Sequence, residues 1–139
     1  MVAMLMDASS LLLLIKKRGV EAADTLRDAA TVPLAGYEMG NALRASVQVH
    51  REMTPEAAEA TLGNIHTCLT YMRIVDQSSF QAMTETLRVS LRHDLTYYDA
   101  AYLAAASTLG APLITDDRRL AEAAIKAGIQ TADTASLTA

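Results

Sequence analysis

Met4-Leu5-Met6-Asp7-Ala8-Ser9-Ser10 is the stretch on which the fold turns. Val2 to Met6 is a continuous apolar run, which predicts a strand buried on both faces and so a parallel sheet with helices above and below. The run stops at Asp7. A carboxylate that closes such a strand gains nothing from burial and needs a partner or a metal. Ser9 or Ser10 supplies an N-cap for a helix from Leu11 to about Lys17, with a helix-capping role for Asp7 as the alternative, and Gly19 ends that helix.

Outward from there, short apolar runs alternate with helical periods. Val20 to Asp28 reads as a short amphipathic helix with Val20, Ala23 and Leu26 on one side, and Thr31 to Ala35 as the second strand, although Pro33 removes a ladder donor. A longer helix from Gly36 carries Met39, Leu43, Val47 and His50 on one stripe. Thr54-Pro55-Glu56 opens the next, with Ala58, Leu62, Ile65, Leu69 and Met72 at helical spacing, and the two make an antiparallel hairpin. Arg73 to Val75 is a short strand, followed by a helix bearing Phe80, Met83, Leu87 and Leu91. Thr96 caps an Ala-rich helix stopped by Gly110; Ala111 to Thr115 is a fourth strand, Arg118 to Ala127 a helix, and Ile129 to Thr131 a final strand. The alternation predicts an α/β fold with a four- to five-stranded parallel sheet, in one domain spanning residues 1–139.

Composition narrows the class. Of 139 residues 51% are hydrophobic and 20% charged, a globular balance large enough for a core without staples. The single cysteine, Cys68, has neither a Cys partner nor a paired His, so a buried inert thiol is expected instead of a disulfide or zinc site. In the N-terminal apolar stretch Lys16, Lys17 and Arg18 follow Leu11 to Ile15, and Asp7 interrupts it, so neither a signal peptide nor a membrane span is indicated and a cytoplasmic protein is expected. The net charge of −4 argues against bulk electrostatic binding of nucleic acid but leaves nucleic acid open as a substrate. Lys16, Lys17, Arg18, Arg44, Arg118 and Arg119 are candidates for phosphate contact, with solvated surface charge as the commoner fate.

Four acids fall where strands run into helices or helices begin: Asp7, Glu38, Asp99 and Asp117. Each has a structural explanation. Asp99 stands three residues after Thr96 in a capping-box-like array, Glu38 lies in a first turn, and Asp116 or Asp117 caps the helix at Arg118. Their conjunction suggests more, because in parallel α/β proteins such junctions converge on one rim of the sheet. Like charges gathered there oppose folding unless a cation holds them, and oxygen-only ligands suit Mg²⁺ or Mn²⁺. His50, His66 and His93 are scattered and pair with no nucleophile.

Asp7-Ala8-Ser9 after the first strand, Tyr37-Glu38-Met39-Gly40-Asn41-Ala42-Leu43, Leu95-Thr96-Tyr97-Tyr98-Asp99-Ala100-Ala101-Tyr102 and Leu113-Ile114-Thr115-Asp116-Asp117-Arg118-Arg119-Leu120 together resemble the PIN domain, in order and spacing along essentially the whole chain. More narrowly the chain resembles the VapC-type toxin ribonucleases of toxin-antitoxin pairs. That resemblance implies a three-layer fold and metal-dependent RNA cleavage, with Asp7, Glu38, Asp99 and Asp117 as the catalytic acids. Metal contacts then fall to Asp7, Asp99 and Asp117, with Thr115, Asp116 and Ser9 as auxiliaries; the family's Thr-x-Asp after the fourth strand lies on Thr115 and Asp117. It also implies a homodimer and a small antitoxin that covers the acidic groove, an arginine of which would sit in the metal pocket. The Gly36 to Met72 hairpin, rich in Met, Ala and Leu, is a candidate self-association surface. Two other readings stay open. A flavodoxin-like phosphoacceptor domain would want adjacent acids after the first strand and a lysine after the last, but Asp7 stands alone, Asp76 is the only candidate acceptor and Lys126 lies within a helix, so this reading ranks well behind; a catalytically silent PIN-like module would bind without turnover.

Overall fold

A computed structural model describes residues 2–138. Five strands form one parallel sheet: β1 (Met4–Met6), β2 (Ala29–Thr31), β3 (Arg73–Ile74), β4 (Leu113–Ile114) and β5 (Thr131–Ala132), in the order β3-β2-β1-β4-β5. Eight helices connect and flank them among the described residues: α1 (Ala8–Arg18), α2 (Ala22–Leu26), α3 (Leu34–Gln48), α4 (Pro55–Tyr71), α5 (Phe80–His93), α6 (Tyr97–Leu109), α7 (Arg118–Lys126) and α8 (Ala135–Thr138). Successive strand residues face opposite sides of a sheet, and Leu5 and Met6 are both fully buried, as are Ala30 and Thr31. The sheet is therefore covered on both faces, as the apolar run of β1 demands.

Strand order reverses beside β1, since the chain steps outward through β2 and β3 and then returns to the other side of β1 as β4. In open parallel sheets the crevice beyond the strands' C-terminal ends at such a switch point is where ligands bind. Helix α6 packs on β1 and β4, α5 packs on α6, and α1, α3 and α4 pack on one another. Ala100, Ala101, Ala104, Ala105 and Ala106 of α6 are all buried, so the helix backbone lies near the sheet.

Several boundaries differ from the sequence expectation for physical reasons. Asp7, not Ser9 or Ser10, caps α1, because its side chain accepts from the Ser10 backbone N–H at 2.9 Å. The second strand is Ala29–Thr31 and not Thr31 to Ala35: Pro33 has helical dihedrals and α3 begins directly after it. Between Gly19 and Leu26 a 3-10 turn (Gly19–Glu21) precedes α2, which leaves Val20 52% exposed instead of facing the core with Ala23 and Leu26. His50 lies beyond the end of α3 and in solvent, and Ser46 fills the buried position below Leu43. The last strand sits at Thr131–Ala132, shifted from Ile129 to Thr131. Along α4, Ile65 and Met72 are buried, whereas Leu62 is exposed. Cys68 is buried as expected, and burial pushes its thiol pKa up.

The largest departure is on α5. Phe80, Met83, Leu87 and Leu91 recur at the expected spacing, but Thr86 and Val89 face the interior and the apolar stripe faces out, with Phe80 86% and Leu91 74% exposed. No helix among the described residues is long and apolar enough to cross a membrane.

Candidate active site

Asp7 is placed by the end of β1 and the start of α1 together. Its backbone N–H still reaches the Ile114 carbonyl of β4 at 3.2 Å, so the residue is fixed by the sheet before its side chain is considered. Both carboxylate oxygens are then held. Oδ1 accepts from the Ser10 N–H, and Oδ2 accepts from the Thr115 hydroxyl at 2.5 Å. Thr115 in turn accepts the Asp117 backbone N–H at 3.0 Å, which links the turn after β4 to the acid after β1.

Asp117 caps α7 by accepting from the Leu120 N–H at 3.0 Å. Asp99 occupies the first turn of α6, where Thr96 caps the helix by accepting the Asp99 N–H at 3.0 Å. Glu38, in α3, accepts the Tyr102 hydroxyl on Oε1 at 2.5 Å. The helix-capping explanations therefore hold for Asp7, for Asp117 and for Thr96 beside Asp99. They coexist with convergence. Asp7, Glu38, Asp99 and Asp117 line one cleft of about 370 Å³ beyond the C-terminal ends of β1 and β4, and Ser9 lines it with them.

Asp116 goes elsewhere. It accepts the Thr134 backbone N–H at 2.9 Å, the Thr134 hydroxyl, and the Ser10 hydroxyl at 3.4 Å, and so ties the segment after β5 to the turn before α7. Geometry thus puts Asp117 on the cleft, while Asp116 lies outside its lining and contributes charge. Of the basic candidates only Lys16 lines the cleft. Arg18 donates to Thr25, Arg118 pairs with Glu122 and Arg119 with Asp94, while Lys17 and Arg44 are exposed. Asp76 sits outside the cleft on the β3 side, where Ser78 hydrogen bonds hold its pKa down, and Lys126 ends α7.

The electrostatics are those of crowded carboxylates. Burial raises the Asp7 pKa, and the charge of Asp116 adds to it against the hydrogen bonds from Thr115 and Ser10. Burial also raises the pKa of Asp99, and the charges of Asp117 and Asp7 push the same way. Among the described residues no three carboxylate, imidazole or thiolate groups are drawn close enough to ligate one ion by themselves. A closed cage would suit Ca²⁺ or zinc. Spaced, mutually repelling carboxylates in an open cleft suit Mg²⁺, which keeps several waters and takes one or two carboxylates directly. The donor set thus fits a hard divalent cation.

One polar cleft residue carried no chemical role in the sequence reading. Tyr102 is buried and touches Glu38, and its signal was present as the third residue after Asp99, on the same side of the helix.

Fold and site define an α/β protein with a carboxylate-lined cleft at the switch point of a parallel sheet. A profile of the PIN domain matches residues 4–126, and the chain belongs to that family. It is 38% identical over 90 residues to Ribonuclease VapC1 of Mycobacterium tuberculosis strain ATCC 25618 / H37Rv, a match that covers 65% of this chain and 63% of that protein. With Ribonuclease VapC3 of Pyrobaculum aerophilum it shares 33% identity over 94 residues, 66% of this chain and 68% of the relative. The crystal structure of PAE2754 from Pyrobaculum aerophilum superposes with a TM-score of 0.78 at 26% identity, covering 98% of this chain and 93% of that one.

Proposed function

We propose that this protein is a VapC-like toxin ribonuclease, which hydrolyses RNA phosphodiester bonds with the help of Mg²⁺ or Mn²⁺ and acts in the cytoplasm. One observation carries the reading: four acids from segments as far apart as Asp7 and Asp117 line a single cleft, two of them with raised pKa values. Names of the relatives, Ribonuclease VapC1 and Ribonuclease VapC3, point to the same chemistry.

In this reading Asp7, Asp99 and Asp117 hold the cation directly or through water, and Glu38 completes the shell or orients the attacking water. A bound cation there supplies a lowered water pKa, a polarised phosphate and neutralisation of charge in the transition state. Ser10 and Thr115 fix the orientation of Asp7 before substrate arrives. Glu38 lines the same cleft from α3, where it would orient the attacking water. In-line attack forms one P–O bond and breaks the bond to the 3′ oxygen, leaving a 5′-phosphate and a 3′-hydroxyl. Lys16, the cation on the cleft lining, is placed to meet a phosphate of the bound strand. Ser9 and Thr115 serve as auxiliaries, and Asp116 acts through charge and through Thr134.

The reading brings two partners. A small antitoxin would insert a segment across the cleft, with an arginine among the carboxylates, and a second copy of the chain would pair through exposed apolar surface. The test of chemistry is cleavage of single-stranded RNA by purified protein. Asp7→Asn and Asp99→Asn are each expected to abolish Mn²⁺-dependent cleavage with the fold retained by circular dichroism. Cleavage that survives in both variants, or in excess chelator, overturns the assignment.

A further inference from the structure

Tyr102 is 1% exposed, the largest fully buried side chain among the described residues, and its hydroxyl must find a partner inside. The phenol proton goes to Glu38 Oε1 at 2.5 Å. Two of the elements that line the cleft, α3 through Glu38 and α6 through Tyr102, are therefore joined by one hydrogen bond.

Glu38 is otherwise free to swing. It has three rotatable bonds and a half-buried position, and its other oxygen makes no hydrogen bond among the described residues. Asp99 and Tyr102 stand three apart on α6 and so project from the same side of the helix. One turn of α6 thereby delivers one acid and grips another.

We propose that Tyr102 is a positioning residue: it tethers Glu38 so that the free oxygen of that carboxylate faces the cleft at a fixed offset from Asp99, and thereby sets the affinity of the cleft for a divalent cation. The inference rests on the metal-site reading above. A Tyr–Glu pair that merely locked α3 to α6 would cost stability when broken, whatever became of Glu38. A tether acts only while Glu38 is present.

The experiment is a double-mutant cycle of Tyr102→Phe and Glu38→Ala, read by calorimetric titration of Mn²⁺ into each purified protein. Tyr102→Phe alone is expected to weaken Mn²⁺ binding about tenfold, the ordinary cost of losing a residue that orients a ligand. In the Glu38→Ala background the same change is expected to have no further effect. Unchanged binding in Tyr102→Phe, or an undiminished loss when Glu38 is already alanine, overturns the tether. A second readout needs no metal: in chelator, the ¹³C carboxyl resonance of Glu38 should stand apart from those of the exposed glutamates and move back among them in Tyr102→Phe. Should the wild-type protein take up no Mn²⁺, the metal nuclease reading falls, and this resonance still decides the tether; a Glu38 signal indistinguishable from the exposed glutamates in the wild type rejects it.

Discussion

At Asp7 one carboxylate caps α1, accepts the Thr115 hydroxyl and faces three other acids, so its ionisation is opposed by its surroundings even while its hydrogen bonds favour it. The Asp7 and Asp99 pKa values both lie above the ordinary carboxylate value. Between that value and the raised ones the folded protein binds more protons than the unfolded chain, so stability falls as pH rises through this window. In chelator, unfolding midpoints are therefore expected to drop from mildly acidic to neutral pH, a trend that Asp7→Asn or Asp99→Asn flattens. Each variant is also expected to melt higher than the wild type at pH 7 without metal; equal or lower Tm values would show that repulsion is not what the site stores. Added Mn²⁺ should raise the wild-type Tm more than that of either variant. Asp7 and Asp99 were legible in the sequence, because a carboxylate ending an apolar run or opening a helix marks itself, whereas Glu38, which the sequence placed in a first turn, lies beyond the first turn of α3. The choice between Asp116 and Asp117 was not legible, since adjacent residues share every sequence signal and only the bonds to Thr134 separate them. Tyr102 was passed over because a tyrosine among alanines reads as core, which it also is.

Helix α6 is where local signals were most complete. Thr96, Gly110 and Pro112 bracket it in the sequence, and the structure uses Thr96 as N-cap and Gly110 at φ 63° as the left-handed C-cap. Thr96→Ala is expected to cost about 1 kcal/mol in chemical denaturation. It should also lower RNA cleavage more than that loss of stability would, since the cap orients the turn that carries Asp99. Gly110→Ala, which forces a Cβ into a left-handed turn, is expected to cost about 1–2 kcal/mol with no effect on cleavage by the folded fraction. Elements with weaker signals were misplaced. Strand β2 slid because Val32 is buried and β-branched and so continues an apparent strand, although proline at 33 already starts the next helix. Helix α5 was found with its face reversed: periodicity reveals that an apolar stripe exists and says nothing about whether it turns inward.

Across the whole molecule, that reversed stripe is the principal unsatisfied surface. Phe80, Met83, Leu87 and Leu91 form a ridge along one side of α5, with the Arg88–Glu85 pair on the same helix. Self-association through this ridge is one expectation; the hairpin of α3 and α4 offers another apolar surface, a groove lined by Leu62, Ile65 and Leu69. Sedimentation is expected to show a concentration-dependent dimer that Leu87→Glu or Leu91→Glu disperses at least tenfold in Kd; an unaltered dimer in both would move the interface elsewhere. The sheet order has a consequence of another kind. Because β4 lies between β1 and β5, the polypeptide must be made beyond residue 114 before the strand that supports Thr115 and Asp117 can slot into place beside the first one. A chain still emerging from the ribosome at residue 110 holds Asp7, Glu38 and Asp99 but has no floor on which to arrange them. The last wall of the cleft is thus contributed by a segment that follows the other three in the chain.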